Sequence, residues 1–378
     1  MSSRTPDLLL YSDTRASADL LYLGRVEVHD AFIALRIRGR TLTVQSALEL
    51  GRVRRTGRFD VVLARDACLE RARRRHGPKA GVAEIIAVLA REHGVRRFRV
   101  PDDFPGALYR QLLRLGLKLD FAGGLLLPER EAKTPWEARC IREGNRLCAV
   151  GFRAAESILR AARIRGRRLF HRGRPVTSES LRFAIDVAIL EQGGNPQDTI
   201  VAGGDQACDP HERGSGPIRP HELVIIDVFP RVTKTGYHGD MTRTYLKGRA
   251  REVQRRLVAT VREAQRRATR EIRAGVAGRD VHAAVVACFA DAGYETRHTS
   301  RGSVGFFHGT GHGLGLEVHD PGRISPTNAQ ALKLHSVLTV EPGLYYPGLG
   351  GCRWEDVVQV TATGSRPLSR HPYVWEFR

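Results

Sequence analysis

The segment Leu223-Val-Ile-Ile-Asp-Val-Phe229 is apolar at every position except Asp227, and no other feature restricts the fold of this chain as strongly. A short run of this kind reads as a buried strand, where an ionised carboxylate is costly unless something pairs with it. Thirteen positions after Asp227, Gly239-Asp-Met-Thr-Arg-Thr244 repeats the pattern, a strand carrying a lone acid at Asp240. Pro230-Arg-Val-Thr-Lys-Thr-Gly236 lies between them and is rich in turn formers, so the two strands are expected to form a hairpin that brings the acids together. Adjacent carboxylates repel unless they share a proton or a cation.

Two further acids occupy similar settings. Glu341 follows the apolar strand Ser336-Val-Leu-Thr-Val340 and precedes Pro342-Gly343, and Glu355 lies in Arg353-Trp-Glu-Asp-Val-Val-Gln-Val360. Ahead of both comes Phe306-Phe-His-Gly-Thr-Gly-His-Gly-Leu-Gly-Leu-Glu-Val-His-Asp320, whose alternating Gly and His let the backbone come close while imidazoles project from it. Taken singly, a lone Asp in a strand is ordinarily hydrogen-bonded, and a His in a Gly-rich loop ordinarily caps or faces solvent; the joint occurrence is what points to chemistry. Four carboxylates and a histidine make a hard, oxygen-rich donor set that suits Mn²⁺ first and Zn²⁺, Co²⁺ or Fe²⁺ less specifically. With two acids bridging, such a set holds two divalent ions ~3.5–4 Å apart around a shared hydroxide, which is the chemistry of amide hydrolysis.

The 378 residues are too many for one small core, and two domains are expected. Residues 1–130 read as alternating α and β, with strands at 31–37, 41–44, 61–63 and 98–100 and helical periodicity at 82–92 and 108–115. Pro128-Glu-Arg-Glu-Ala-Lys-Thr-Pro-Trp136 marks the boundary, with Thr134 as N-cap and Pro135 opening a long helix toward Arg163. Residues 131–378 then group into helices and strands, an α+β domain built on an antiparallel sheet. The net charge of +20 is carried almost wholly by Arg spread along the chain. The densest runs, Arg71–Arg75 and Arg160–Arg174, read as solvated helix faces, and no nucleic-acid partner is expected. Six cysteines without a Cys-x-x-Cys pair read as thiols, outside any disulfide framework. No stretch approaches the ~20 apolar residues of a membrane span, and the start lacks the apolar run of a leader, so the chain reads as cytoplasmic.

At the acid and histidine motifs the sequence resembles the pita-bread metallopeptidases, of the prolidase and aminopeptidase P type. The family pattern is an Asp ending an apolar strand, then Asp-x-Thr-Arg-Thr, His-Gly-x-Gly-His-Gly, Glu-Pro-Gly and Arg-x-Glu-Asp. Here these stand as Asp227, Asp240–Thr244, His308–Gly313, Glu341–Gly343 and Arg353–Asp356, all in order. The first 130 residues are similar only in kind, resembling a creatinase-like N-terminal domain. The resemblance implies a curved antiparallel sheet and cleavage of peptide bonds preceding proline, in substrates with proline at the second position. It also implies a homodimer and metal ligands Asp227, Asp240, His312, Glu341 and Glu355. Of these, Asp240 and Glu355 would bridge both ions, and Glu341 would double as general base. His308 and His319 match histidines that contact substrate or stabilise the tetrahedral intermediate, and His211 matches one at the mouth of the site. Arg353 matches an arginine that partners the bridging Glu or a substrate carboxylate. Thr242 and Thr244 share the strand face of Asp240, as candidate donors to the ligands. Two departures from the family are a longer segment between the two Asp and the bulk of Trp354 before the bridging Glu. Rival readings are a peptidase of this fold with another preference, and a metal-free peptide- or protein-binding module.

Overall fold

The computed structural model describes residues 6–300 and 302–378, in two compact units, Met1–Pro128 and Glu129–Arg378. The first five residues, part of the start in which no leader was read, lie outside the described residues.

Unit one is built on strands β1 (Leu8–Ser12), β2 (Phe32–Ile37), β3 (Arg40–Gln45), β4 (Val61–Ala64), β5 (Arg97–Val100) and β6 (Lys118–Phe121), in the order β4-β3-β2-β1-β5-β6. β2 is antiparallel to both its neighbours; every other pairing is parallel. The reversal from β2 to β3 takes two residues, Arg38 and Gly39, at φ 51° and 81°, a turn whose twist matches that of the flanking strands. Helices α1 (Ala18–Gly24), α2 (Ala47–Thr56), α3 (Arg65–His76), α4 (Val82–Glu92) and α5 (Gly106–Arg114) complete the unit. Ile85, Ile86 and Leu89 of α4 bury with Leu35 and Phe98 of the sheet. The structure adds β1, β6 and α1–α3 to the elements read from sequence. In α3 only Cys68 and Ala72 are buried, too few apolar positions to register as a period.

In unit two, α6 (Pro135–Ala161) begins as its sequence implies. The Thr134 hydroxyl accepts from the Glu137 N–H while the Glu137 carboxylate accepts from the Thr134 N–H, a reciprocal cap. The other Glu137 oxygen accepts from the Tyr237 hydroxyl at 2.7 Å. Two turns further in, a Cβ on Gly144 would sit 2.3 Å from the Gly239 nitrogen, so helix and chain touch backbone to backbone. Beside it the Asn145 Oδ1 accepts the Asp240 N–H at 2.9 Å. Helix α6 therefore fixes the chain at the point where an expected ligand emerges.

Beyond Ala161 the arginine-rich stretch departs from the helix face expected of it. It forms an antiparallel meander of β7 (Arg163–Arg165), β8 (Arg168–His171) and β9 (Arg174–Pro175). Its turns place Gly166, Arg172 and Gly173 at positive φ, which no right-handed helix accommodates. Helix α7 (Ser178–Glu191), β10 (Gly194–Asn195) and β11 (Ile200–Gly203) follow. β12 (Val224–Val228) and β14 (Met241–Lys247) pair antiparallel, with Asp227 opposite Thr242. The long connection between them is anchored by β13 (Arg231–Val232), which pairs with β10.

Helices α8 (Glu252–Glu271) and α9 (Gly278–Asp291) share a core with the strands that follow, Val261 and Phe289 packing with Leu338 and Val358. Those strands are β15 (Arg297–Thr299), β16 (Gly302–Val304), β17 (Gly311–Gly313), β18 (Asp320–Ile324), β19 (Val337–Val340), β20 (Gly343–Tyr346), β21 (Gly350–Arg353), β22 (Asp356–Val360), β23 (Ser365–Pro367) and β24 (Glu376–Phe377). Two sheets matter for the site, β11-β12-β14-β24 and β18-β17-β19-β22-β23. The apolar strand before Glu341 ends at Val340 as β19, and beyond Pro342 the chain resumes as β20 in a different sheet; Pro342 has no N–H to continue the ladder.

Because the Gly144 contact is backbone on backbone, Gly144→Ala is expected to destabilise the protein by about 1–3 kcal/mol. Urea denaturation of the two forms measures this, and a variant as stable as its parent contradicts the contact.

Candidate metal centre

Asp227 closes β12, where every residue is buried, and Asp240 immediately precedes β14. β17 carries His312, Glu341 follows β19, and Glu355 precedes β22. Five strands of two sheets thus deliver five side chains to one cleft of about 750 Å³. Asp240, His312 and Glu355 each offer a donor atom within 4.8 Å of the others. The His312 Nε2 lies 3.6 Å from an Asp240 oxygen and 3.3 Å from a Glu341 oxygen. Its Nδ1 meets the Gly313 carbonyl at 3.1 Å, which assigns the proton to Nδ1 and leaves the Nε2 lone pair aimed at the acids.

The supporting hydrogen bonds come from neighbouring strands. Thr242 donates to Glu355 Oε2 at 2.7 Å. Thr339 accepts the His312 N–H at 3.0 Å and donates to Glu341 at 3.4 Å. Thr244 turns instead to the Arg353 carbonyl. Arg353 is buried and donates to Asp227 at 2.6 Å, to the Tyr345 hydroxyl at 3.1 Å, to Thr242 at 3.2 Å and to the Pro210 carbonyl at 3.3 Å. Its acid partner is therefore Asp227, where the sequence pointed to Glu355 or a substrate carboxylate. Trp354 points the other way, fully buried and stacked on Tyr373, so its bulk stays out of the cleft.

Burial, then the mutual repulsion of the acids, holds Asp240 and Glu355 well above the ordinary carboxylate range. Burial pushes Glu341 up to about 7, with Arg353 pulling the other way. The imidazoles shift oppositely, again through burial first: His312 and His319 fall to about 4 and His308 to about 3. Near neutral pH the histidines are thus uncharged, and the acids have one guanidinium among them. The Asp227 Oδ1 is buried with no hydrogen-bond partner. A crowd of acceptors that lacks donors, completed by one imidazole lone pair, fits hard divalent cations.

The remaining histidines line the same cleft. The His319 ring stands edge-on to that of His312, centroids 4.5 Å apart. His308 is tied at Nδ1 to the Gly309 carbonyl at 2.7 Å and at Nε2 to the Tyr345 hydroxyl at 2.8 Å. His211 is exposed, its backbone N–H held by Asp209. Sequence reasoning did not find Asn145, Thr339, Tyr345 or Arg323. Thr339 lies two positions before Glu341 in an alternating strand, a signal that was available. Tyr345 sits in an apolar run that reads as core. Arg323 lines the cleft with Nη1 on the Asp320 and Gly322 carbonyls, and nothing in the spacing of an arginine-rich chain singles it out.

The description of metallopeptidase family M24 matches residues 139–362. The Xaa-Pro dipeptidase of Pyrococcus furiosus is 36% identical over 174 residues, which are 46% of this chain and 47% of that protein; by sequence, the match spans about half the length of such curated relatives. Among solved structures, an Xaa-Pro dipeptidase from Bacillus anthracis superimposes with TM-score 0.81 at 22% identity, covering 99% of this chain and 95% of that one. An X-Pro aminopeptidase from Thermotoga maritima gives 0.80 at 22%, covering 99% and 97%. The fold is the α+β pita-bread fold that these structures share.

Since burial raises the proton affinity of Asp240, Glu341 and Glu355, protons compete with a cation for them, and Mn²⁺ affinity is expected to fall as pH drops from 8 to 6, with proton release on binding. Calorimetric titration in two buffers of unlike ionisation enthalpy measures both; pH-independent binding without proton release contradicts the assignment.

Proposed function

As this chain belongs to metallopeptidase family M24, we propose that it hydrolyses the peptide bond preceding proline, as an Xaa-Pro dipeptidase. The observation that carries the reading is the convergence of Asp227, Asp240, His312, Glu341 and Glu355 on one cleft, where burial raises the proton affinity of Asp240, Glu341 and Glu355. A pair of divalent ions bound there, Mn²⁺ by the hardness of the donors, lowers the pKa of water toward ~7 and polarises a carbonyl.

The chain's own groups supply the rest. Asp240 and Glu355 would be shared by the ions, Asp227 would serve one, and His312 with Glu341 would serve the other. Glu341 is the proposed general base, an acid at the cleft that burial pushes up to about 7. His319, neutral and open to the cleft, donates its N–H to the oxygen that gains charge in the tetrahedral intermediate. His308 orients substrate through a ring already fixed by Gly309 and Tyr345, and His211 meets substrate at the rim. Arg353 was read from sequence as a substrate group; its four donations inside the fold support a positioning role on Asp227 and Tyr345. Arg323 is the better candidate for the substrate carboxylate. Its Nε and Nη2 have no partner among the described residues, and it lines the cleft. A cation for a free carboxylate favours dipeptides over longer peptides. The six free cysteines support a reducing, cytoplasmic setting, and the homodimer implied by the family motifs is retained as part of the proposal. Among the described residues no helix is long and apolar enough to cross a membrane.

Asp240→Ala is expected to abolish hydrolysis and lower bound metal while leaving the circular dichroism of the fold intact. His308→Ala is expected to keep the metal and cut turnover. Metal analysis with Xaa-Pro and Xaa-Leu dipeptides, before and after chelation, checks both. Full activity in metal-free protein rejects the reading, and equal rates on the two series favour a peptidase of this fold with another preference. A chain that binds peptides without cleaving them under any metal is a binding module.

Arg323→Ala is expected to raise KM for Xaa-Pro dipeptides about tenfold or more, the value of a lost charge-assisted hydrogen bond. Its effect on Xaa-Pro-Yaa amides, which lack the carboxylate, is expected to be small. Steady-state kinetics on the two substrate types separate the outcomes, and equal losses on both would remove Arg323 from carboxylate recognition.

A further inference from the structure

Unit one contains a cavity of about 120 Å³ at which β1, β3 and β4 end. Tyr11 of β1, Val44 and Gln45 of β3, and Arg65, the residue after β4, all line it, with the start of β2 between them. β1, β3 and β4 run in one direction, since β1 and β3 both oppose β2 and β4 is parallel to β3. The cavity therefore lies at the carboxyl ends of parallel strands, where open α/β sheets place their ligands.

Its polar groups are left without partners by the fold. Gln45 is 1% exposed, and its Oε1 has no hydrogen-bond partner. The identity of that atom is fixed by its neighbours. The Thr43 hydroxyl gives its proton to the Ile33 carbonyl at 3.0 Å, so at 2.7 Å from Gln45 it accepts, and Gln45 must face it with the NH₂ group. The orphan is then a carbonyl oxygen, an acceptor in want of a donor. Next in sequence, Ser46 stands at the N-cap of α2 yet makes no side-chain cap, and its buried hydroxyl is also unpaired. Within α2 the Glu49 N–H bonds the Ser46 carbonyl, which leaves the Ala47 and Leu48 N–H groups as donors next in sequence to the cavity-lining Ser46. Asp30 and Arg65 line the cavity from exposed positions and have no ion-pair partner among the described residues. Glu49, the other acid on the wall, is already paired with Arg52.

The buried orphans at Gln45 and Ser46 are costly to leave unsatisfied, and together with the exposed Asp30 and Arg65 the groups divide by sign. Acceptors are found at Gln45 and Asp30, donors at the α2 terminus, Ser46 and Arg65. A molecule that satisfies both must carry an ammonium group and a carboxylate close together. Size sets a further limit, since an apolar cavity of ~150 Å³ holds benzene. The remaining wall, including Val28, Phe32, Val44 and Ile85, suits a short apolar side chain.

We propose that this cavity binds a small zwitterionic α-amino acid of about the size of alanine. Its ammonium group bonds Gln45 Oε1 and Asp30, and its carboxylate takes the α2 terminus, Ser46 and Arg65. The site is independent of the metal centre and does not rest on the peptidase reading.

Calorimetric titration of the full-length chain with L-alanine tests it, with propionate and ethylammonium as probes that keep one charge each. Saturable one-to-one binding of alanine alone is expected. Arg65→Ala and Asp30→Asn, both at exposed positions, and Gln45→Leu are each expected to weaken it about tenfold or more, while Asp240→Ala leaves it unchanged. Equal binding of propionate would reduce the cavity to an anion site and overturn the proposal. Binding lost in Asp240→Ala but kept in Arg65→Ala would place the amino acid at the metal centre and overturn it as well. So would the absence of any binding heat, or an alanine-soaked crystal with only water in the cavity.

Discussion

Carboxylates that cannot escape one another shape this protein. Asp227, Asp240, Glu341 and Glu355 face one cleft from buried or nearly buried positions, where water no longer screens them. Desolvation and like charge act in the same direction, and both are relieved by cations. The fold itself supplies one guanidinium, Arg353, and that group is spent on Asp227. The remaining deficit is a standing demand for external positive charge, and burial together with like charge raises the proton affinity of Asp240 and Glu355. Isolated buried ion pairs often add little to stability; a cluster of one sign is better understood as stability given up for binding.

Much of unit two can be understood as scaffolding for that cluster. The close approach of α6 to Gly239 and the Asn145 hydrogen bond fix where the chain enters β14, and hence where Asp240 points. The break at Pro342 lets Glu341 leave one sheet while its neighbours start another. Thr242 and Thr339 each serve two groups at once, so the ligands on different strands are tied into one network. Lys133 and Arg130 hold Asp320 at the end of the histidine-bearing run, which fixes the segment that carries His312 and His319. Such shared supports make the cleft rigid, and rigidity is what a site needs if it is to hold cations at set separations.

The contrast between what was and was not legible follows from how each residue declares itself. An acid inside an apolar strand is conspicuous, because burial there has to be compensated, and the four acidic candidates stood out for that reason, with His312 marked by the Gly/His run and by its occurrence together with them. Cap chemistry was equally readable at Thr134, Pro135 and Glu137. Arg353 was found but given the wrong neighbour, since a strand motif names a residue without saying which partner lies across the sheet. Tyr345 and Arg323 were passed over because each resembles its surroundings, an aromatic in an apolar run and an arginine among many. The meander at Arg163–Pro175 was taken for a helix face, because charge density masked the turn residues Gly166 and Gly173 that decide the matter.

The sequence by itself determined many of the elements, the capped start of α6 and the candidate ligand types, since these depend on local propensity and on the cost of burying charge, both of which are written residue by residue. Only the tertiary structure decided which acid Arg353 neutralises, which hydroxyls steady the ligands, and that Gln45 and Ser46 face a cavity with nothing to bond. Those outcomes depend on register between strands distant in sequence. A shift of one residue exchanges the two faces of a strand, and no local pattern specifies the partner.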